Sequence, residues 1–162
     1  MGEAGLDADP MISYIDLTCA FVERLRQIPQ LVADLDQASP DSIVGYIDLQ
    51  PKRNSFSAAV YGQKAGTVLV AWQETMLPDG EMARWIHRVN FYVKAQNDQS
   101  LYVLVKDIES GVPYPGCGLK WWQCPLAQGL DPTEIRRVAR DADTEQIDMI
   151  VIETETRETG DL

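Results

Sequence analysis

His87 is the only histidine in the chain, so any scheme that moves a proton through imidazole must use it. It sits in a run of alternating apolar and polar residues, flanked by Ile86 and Arg88, where a histidine is ordinarily packed against its neighbours or left on the surface. No GxSxG marks a serine nucleophile. The three cysteines, Cys19, Cys117 and Cys124, lack CxxC spacing, and no motif ties Cys117 or Cys124 to His87. Asp141, Asp143 and Glu145 alternate like the start of a calcium loop, but its sixth and twelfth positions hold Gln146 and Ile152, where glycine and glutamate are required. Gly116-Cys117-Gly118 and the segment from Gly62 to Gly66 match neither phosphate-cradling glycine pattern. The reading is therefore of a protein with no catalytic residues, no metal site and no cofactor.

Two kinds of residue point instead to contact with other macromolecules. Trp121-Trp122 follows the Pro/Gly-rich loop 111–118, which contains Tyr114. Neighbours on an extended backbone face opposite ways, so either both indoles find the core or one of them anchors an interface. Near the C-terminus, Glu153, Glu155 and Arg157 share one face of an extended segment, with Asp148 just before it and Thr154, Thr156 and Glu158 on the opposite side. Carboxylates two apart are a poor acid–base pair unless desolvated. Such a row is ordinarily a solvated strand end, but repeated around an axis it would form an acidic wall.

These residues are carried by elements that the periodicity outlines. Residues 1–10 have no apolar pattern and read as a loose acidic arm. From Met11 to Ile28, Tyr14, Ile15, Cys19, Phe21, Val22, Leu25 and Ile28 recur at helical steps, a buried stripe that Pro29 should end. A short second turn is expected through Leu31, Val32 and Leu35. Four β-type segments follow: Ile43–Leu49, Phe56–Tyr61, Gly66–Glu74 and Met82–Val93. Pro78-Asp79-Gly80 marks a turn joining the last two as a hairpin or meander. Asp98–Ser110 returns to helical spacing through Leu101, Leu104, Val105 and Ile108 and stops at Gly111. Residues 132–140 fit a short helix or a strand, and the neighbouring strands favour the second. Ile147–Thr156 is the final strand, and 159–162 fray. Helix, strands, helix, strands makes one α+β domain over 11–158, a curved and mainly antiparallel sheet packed by the N-terminal helix and by the helix near 98–110.

At 162 residues one domain is expected, with a net charge of -11 and an isoelectric point near 4.4. That balance repels phosphate backbones and anionic lipid, so neither sequence-specific nucleic-acid binding nor membrane association is expected. No apolar run reaches the ~18–20 residues that span a bilayer. The N-terminus lacks the basic-then-apolar layout of a signal peptide, and the odd cysteine count suits a reducing, intracellular setting.

The arrangement LRQIPQL (25–31), VLVAW (68–72), WIHRVNFYVKA (85–95), LYVLVKDIESGVP (101–113) and IDMIVIETETRE (147–158) resembles tailed-phage tail-terminator and tail-completion proteins across residues 11–158. The resemblance implies a homo-oligomeric ring, usually of about six subunits, that caps the tail tube and joins it to the head–tail connector or neck. It implies assembly in the host cytoplasm into the virion, with DNA passing through the ring. The loop 111–118 with Trp121-Trp122 and the acidic arm have no counterpart in that pattern. A closed ring needs two non-equivalent contact patches per chain. The candidates are Trp121 and Trp122 with Tyr114, and the turn holding Pro78 and Asp79, while Glu153, Glu155 and Asp148 form the acidic lumen or face. The alternatives are a small acidic adaptor or inhibitor for a basic protein partner, and an enzyme built on His87 with Cys117 or Cys124 or on an acid pair.

Overall fold

A computed structural model of the chain describes residues 13–47, 55–76, 85–111, 134–139 and 149–157. The first helix, α1 (Tyr14–Arg26), opens where the Ser13 hydroxyl accepts from the Asp16 amide at 3.1 Å. That cap is worth about 1 kcal/mol. Asp16 in the first turn and Arg24 and Arg26 in the last complement the helix dipole. Its buried stripe is Leu17, Thr18, Ala20, Phe21 and Leu25, while Cys19, expected in that stripe, is exposed. Pro29 ends α1 as expected, and it also begins α2 (Pro29–Asp34), because a proline in the first turn lacks only a donor that would have no partner. Leu31 and Leu35 of this second segment are buried.

Two short 3-10 turns, Asp36–Ala38 and Pro40–Ser42, lead into β1 (Ile43–Tyr46). The next segment is a correction. Phe56–Tyr61, read as a strand, lies in a helix, α3 (Ser55–Tyr61). Helical spacing aims Phe56, Ala59 and Val60 at the sheet, where Val60 joins Leu69 and Met149 in a small apolar cluster. Phe56 meets Tyr46 and Tyr92 edge-on at 5.2 and 5.5 Å. A strand would have sent Phe56 and Val60 to one side with Ala58 between them, and Ala59 to the other. Burial of the aromatic face decides for the helix.

β2 (Thr67–Met76), β3 (Ile86–Lys94), α4 (Asp98–Gly111), β4 (Glu134–Ala139) and β5 (Met149–Arg157) complete the described elements. Residues 132–140 thus contain a strand, as the reading favoured. The five strands form one sheet in the order β1-β2-β3-β5-β4. Only β1–β2 is parallel; β2–β3, β3–β5 and β4–β5 are antiparallel. The α+β class and mainly antiparallel sheet are therefore as expected.

Alternation on each strand gives the sheet two different faces. Val68, Val70, Val89, Phe91, Val93 and Ile152 point to a helical layer of α1, α2 and α4, with Phe21 meeting Phe91 edge-on at 5.4 Å. The opposite, outer face carries α3 at one end. α1 approaches the sheet over Gly45, where a Cβ would lie 3.0 Å from Thr18 Cγ2 and 3.1 Å from Val22 Cγ2. A bulge at Gln73 shifts the β2–β3 register between Trp72 and Glu74. Trp72, paired with Val89, faces the helices. Glu74, paired with Arg88, faces outward, and Thr75 returns to the helix side opposite His87.

Candidate interaction surface

The bulge builds a polar feature on each face. On the outer face, Glu74 Oε1 lies 2.6 Å from Arg88 Nη1, and Arg88 Nε lies 3.4 Å from Glu155 Oε2. Glu155 Oε1 is in turn 3.6 Å from Arg157 Nη2. Register makes this inevitable once the strands pair: Arg88 is directly opposite both Glu74 and Glu155. The Arg88, Glu74 and Glu155 side chains keep 41%, 44% and 31% exposure, so each pair contributes roughly 0–1 kcal/mol and is screened by salt. The ladder's importance is its position on a hydrated, charge-alternating surface.

Glu153 lies on the same face, opposite Asn90 on β3. Asn90 is only 7% exposed, and its Oδ1 has no hydrogen-bond partner. As read from sequence, Glu153, Glu155 and Arg157 share one face, and Thr154 and Thr156 are buried on the other. The face differs from a purely acidic row because Arg88 and Arg157 both neutralise Glu155. Arg88 was missed as a member. The available signal was one arginine at a polar position of a strand whose two predicted neighbours carry acids, but only the register brings them together.

On the helix face His87 is fully buried. Its Nδ1 and Thr75 Oγ1 are 2.8 Å apart, and the same hydroxyl accepts from Trp72 Nε1 at 2.8 Å. The Trp72 ring packs on Tyr14 of α1, with centroids 5.1 Å apart. His87 is thus a packed strand histidine that ties β3 to β2. The sheet edge at β1 is blunted, since Arg26 donates from Nε and Nη2 to the Ile43 carbonyl at 3.2 and 2.8 Å.

Trp121, Trp122, Tyr114, Pro78, Asp79 and Asp148 lie outside the described residues, as do Cys117, Cys124, Asp141 and Asp143. Among the described residues no group of three or more His, Cys, Asp or Glu could hold a metal ion. No helix there is long and apolar enough to cross a membrane.

No family model matches the sequence, and no curated protein matches it. Among solved structures, the chain is similar to one described as "Virion of native gene transfer agent (GTA) particle". The identity is 15% and the TM-score 0.47, over 89% of this chain and 95% of that one.

Proposed function

We propose that this chain is a structural, non-enzymatic component of a phage-like particle, acting as a ring-forming tail terminator or tail-completion protein. What supports the reading is a mainly antiparallel sheet packed by helices, the fold that the sequence resemblance implied. The observation that carries it is the outer sheet face. Beyond α3, strands β2, β3 and β5 present Glu74, Arg88, Glu155 and Arg157 as a half-hydrated row of alternating charge. A channel wall must stay hydrated without binding DNA, and with Glu153 this row carries three carboxylates against two guanidinium groups, a net negative surface. In this reading Glu153 and Glu155, with Asp148, lie toward the acidic channel wall, and DNA passing through is repelled rather than bound. Trp121, Trp122 and Tyr114, and Pro78 with Asp79, form the two side patches that meet neighbouring subunits, the tail tube and the connector.

Light scattering over a concentration series, with negative-stain images of the same sample, tests this. Rings of about six subunits, alone or on added preformed tail tube, are the expected result. A monomer or dimer that stays so with tube present overturns the ring. Salt-weakened binding to a basic protein would then favour the adaptor.

A further inference from the structure

Among the described residues the sheet ends in two edge strands, β1 and β4, and their sequences differ in kind. β4 (EIRRVA) carries Glu134, Arg136 and Arg137, and charges within an edge strand make it a poor template for another chain. β1 (IVGY) carries no charge, and neither does Ile47 after it. Val44 and Ile47 are 42% and 38% exposed. A short uncharged edge with exposed β-branched side chains is the kind that pairs with foreign strands.

The backbone of β1 is nevertheless partly sealed. The Ile43 carbonyl receives Arg26 Nε at 3.2 Å and Arg26 Nη2 at 2.8 Å, an approach that is open only on the side away from β2. The Ile43 N–H turns back to the Pro40 carbonyl of the preceding 3-10 turn. Strand geometry repeats every second residue, so Gly45 is the next residue whose backbone groups face the open side. The guanidinium comes from α1. Thr18, Val22 and Arg26 are spaced four apart and form one line along that helix. Thr18 and Val22 lie against Gly45, at 3.0 and 3.1 Å from where a Cβ would stand, and Arg26, one turn further, reaches Ile43.

We propose that Arg26 is an edge guard: it supplies from α1 the charge that β1 lacks, and so keeps a second copy of this chain from adding a strand to β1. An incoming strand would have to strip the guanidinium from the Ile43 carbonyl and then bury a cation beside its own backbone, which is costly without a new partner. Arginine suits the task, because two of its donors converge on one oxygen while the rest of this exposed side chain stays hydrated. The guard rests on β1 and α1 alone and is independent of the ring; whatever assembly the chain enters, its contacts avoid strand pairing at β1.

The test compares the full-length wild type with Arg26→Met and Arg26→Gln, by light scattering over a concentration series and by amide exchange at Gly45. Urea unfolding curves establish that each variant is folded. Whatever the subunit number of the wild type, strand pairing in Arg26→Met should raise the mass about twofold or more with concentration. The Gly45 amide should gain protection in step with that mass. Adding Val44→Lys to Arg26→Met places a charge on the edge strand itself and should return the mass to the wild-type value. Arg26→Gln, shorter and uncharged, should behave like Arg26→Met, and Arg26→Lys, which keeps the charge, should stay closer to wild type. Folded Arg26→Met or Arg26→Gln protein that keeps the wild-type mass overturns the guard. So does association that leaves Gly45 exchange unchanged or persists with Val44→Lys, because Arg26 would then only fasten α1 to β1.

Discussion

Replacing Thr75 by valine tests whether His87 belongs to the scaffold. The substitution keeps the shape and removes one hydroxyl, which receives Trp72 Nε1 and pairs with His87 Nδ1, both at 2.8 Å. Whichever of Thr75 and His87 donates, a ring nitrogen inside a fully buried side chain loses this partner. Such a loss costs about 1–3 kcal/mol. Trp72 is 36% exposed and regains water at little cost. Valine's preference for strands returns up to ~0.5 kcal/mol. The net expectation is a destabilisation of roughly 1–2 kcal/mol. With a urea m-value near 2 kcal/mol/M, the unfolding midpoint falls by about 0.5–1 M at unchanged m. Thr75→Ser keeps the hydroxyl and should lose less than Thr75→Val. A valine variant as stable as wild type refutes the reasoning, because the buried imidazole would then not need the hydroxyl.

Gly66→Ala places a side chain at φ +82° with its Cβ 3.0 Å from the Asp36 nitrogen, so backbone must move. A loss of about 2–4 kcal/mol in thermal or urea unfolding is expected, against which Gly62→Ala is a poor control because its Cβ also meets backbone, the Ala58 oxygen at 2.9 Å. Arg88→Met removes two half-exposed ion pairs and should cost no more than ~1 kcal/mol at low salt, a difference that shrinks in high-salt unfolding curves. Asp107→Asn should change how stability depends on pH. Because the folded Asp107 pKa is raised from 3.8 to about 7, its stabilisation is complete below the unfolded value, is lost as pH rises across that interval, and is flat above it. Solvent around this partly exposed carboxyl keeps the swing near ~1 kcal/mol, read as the difference between wild-type and variant unfolding free energies at acid and neutral pH.

The long periodic elements were legible in the sequence because local spacing and burial agree. The helical stripe through Phe21, Leu25 and Ile28 and the alternation of Val89, Phe91 and Val93 each point a continuous apolar row at one core. A break in the helix at Pro29 and the helix from Asp98 were readable from the proline and from the same spacing, although the first helix stops at Arg26 and not at Ile28. Phe56–Tyr61 was misread because six residues are too few for a period to separate helix from strand. There the rings of Tyr46 and Tyr92, brought from two strands, make the decision.

The surface followed the same division. That Glu153, Glu155 and Arg157 share a face is a property of any strand, and follows from their spacing alone. That Arg88 stands between Glu74 and Glu155 is a property of pairing and of the bulge at Gln73, since without the extra residue Glu74 would turn toward the helices with Trp72. Likewise, nothing local links α2 to α4; they meet because Leu31 and Leu35 enter one core with Leu104, Val105 and Ile108. Sequence periodicity determined which face each side chain takes. Which charges meet across strands, and which helices pack together, came from the assembled fold, because register and helix docking are set by contacts between residues far apart in the chain.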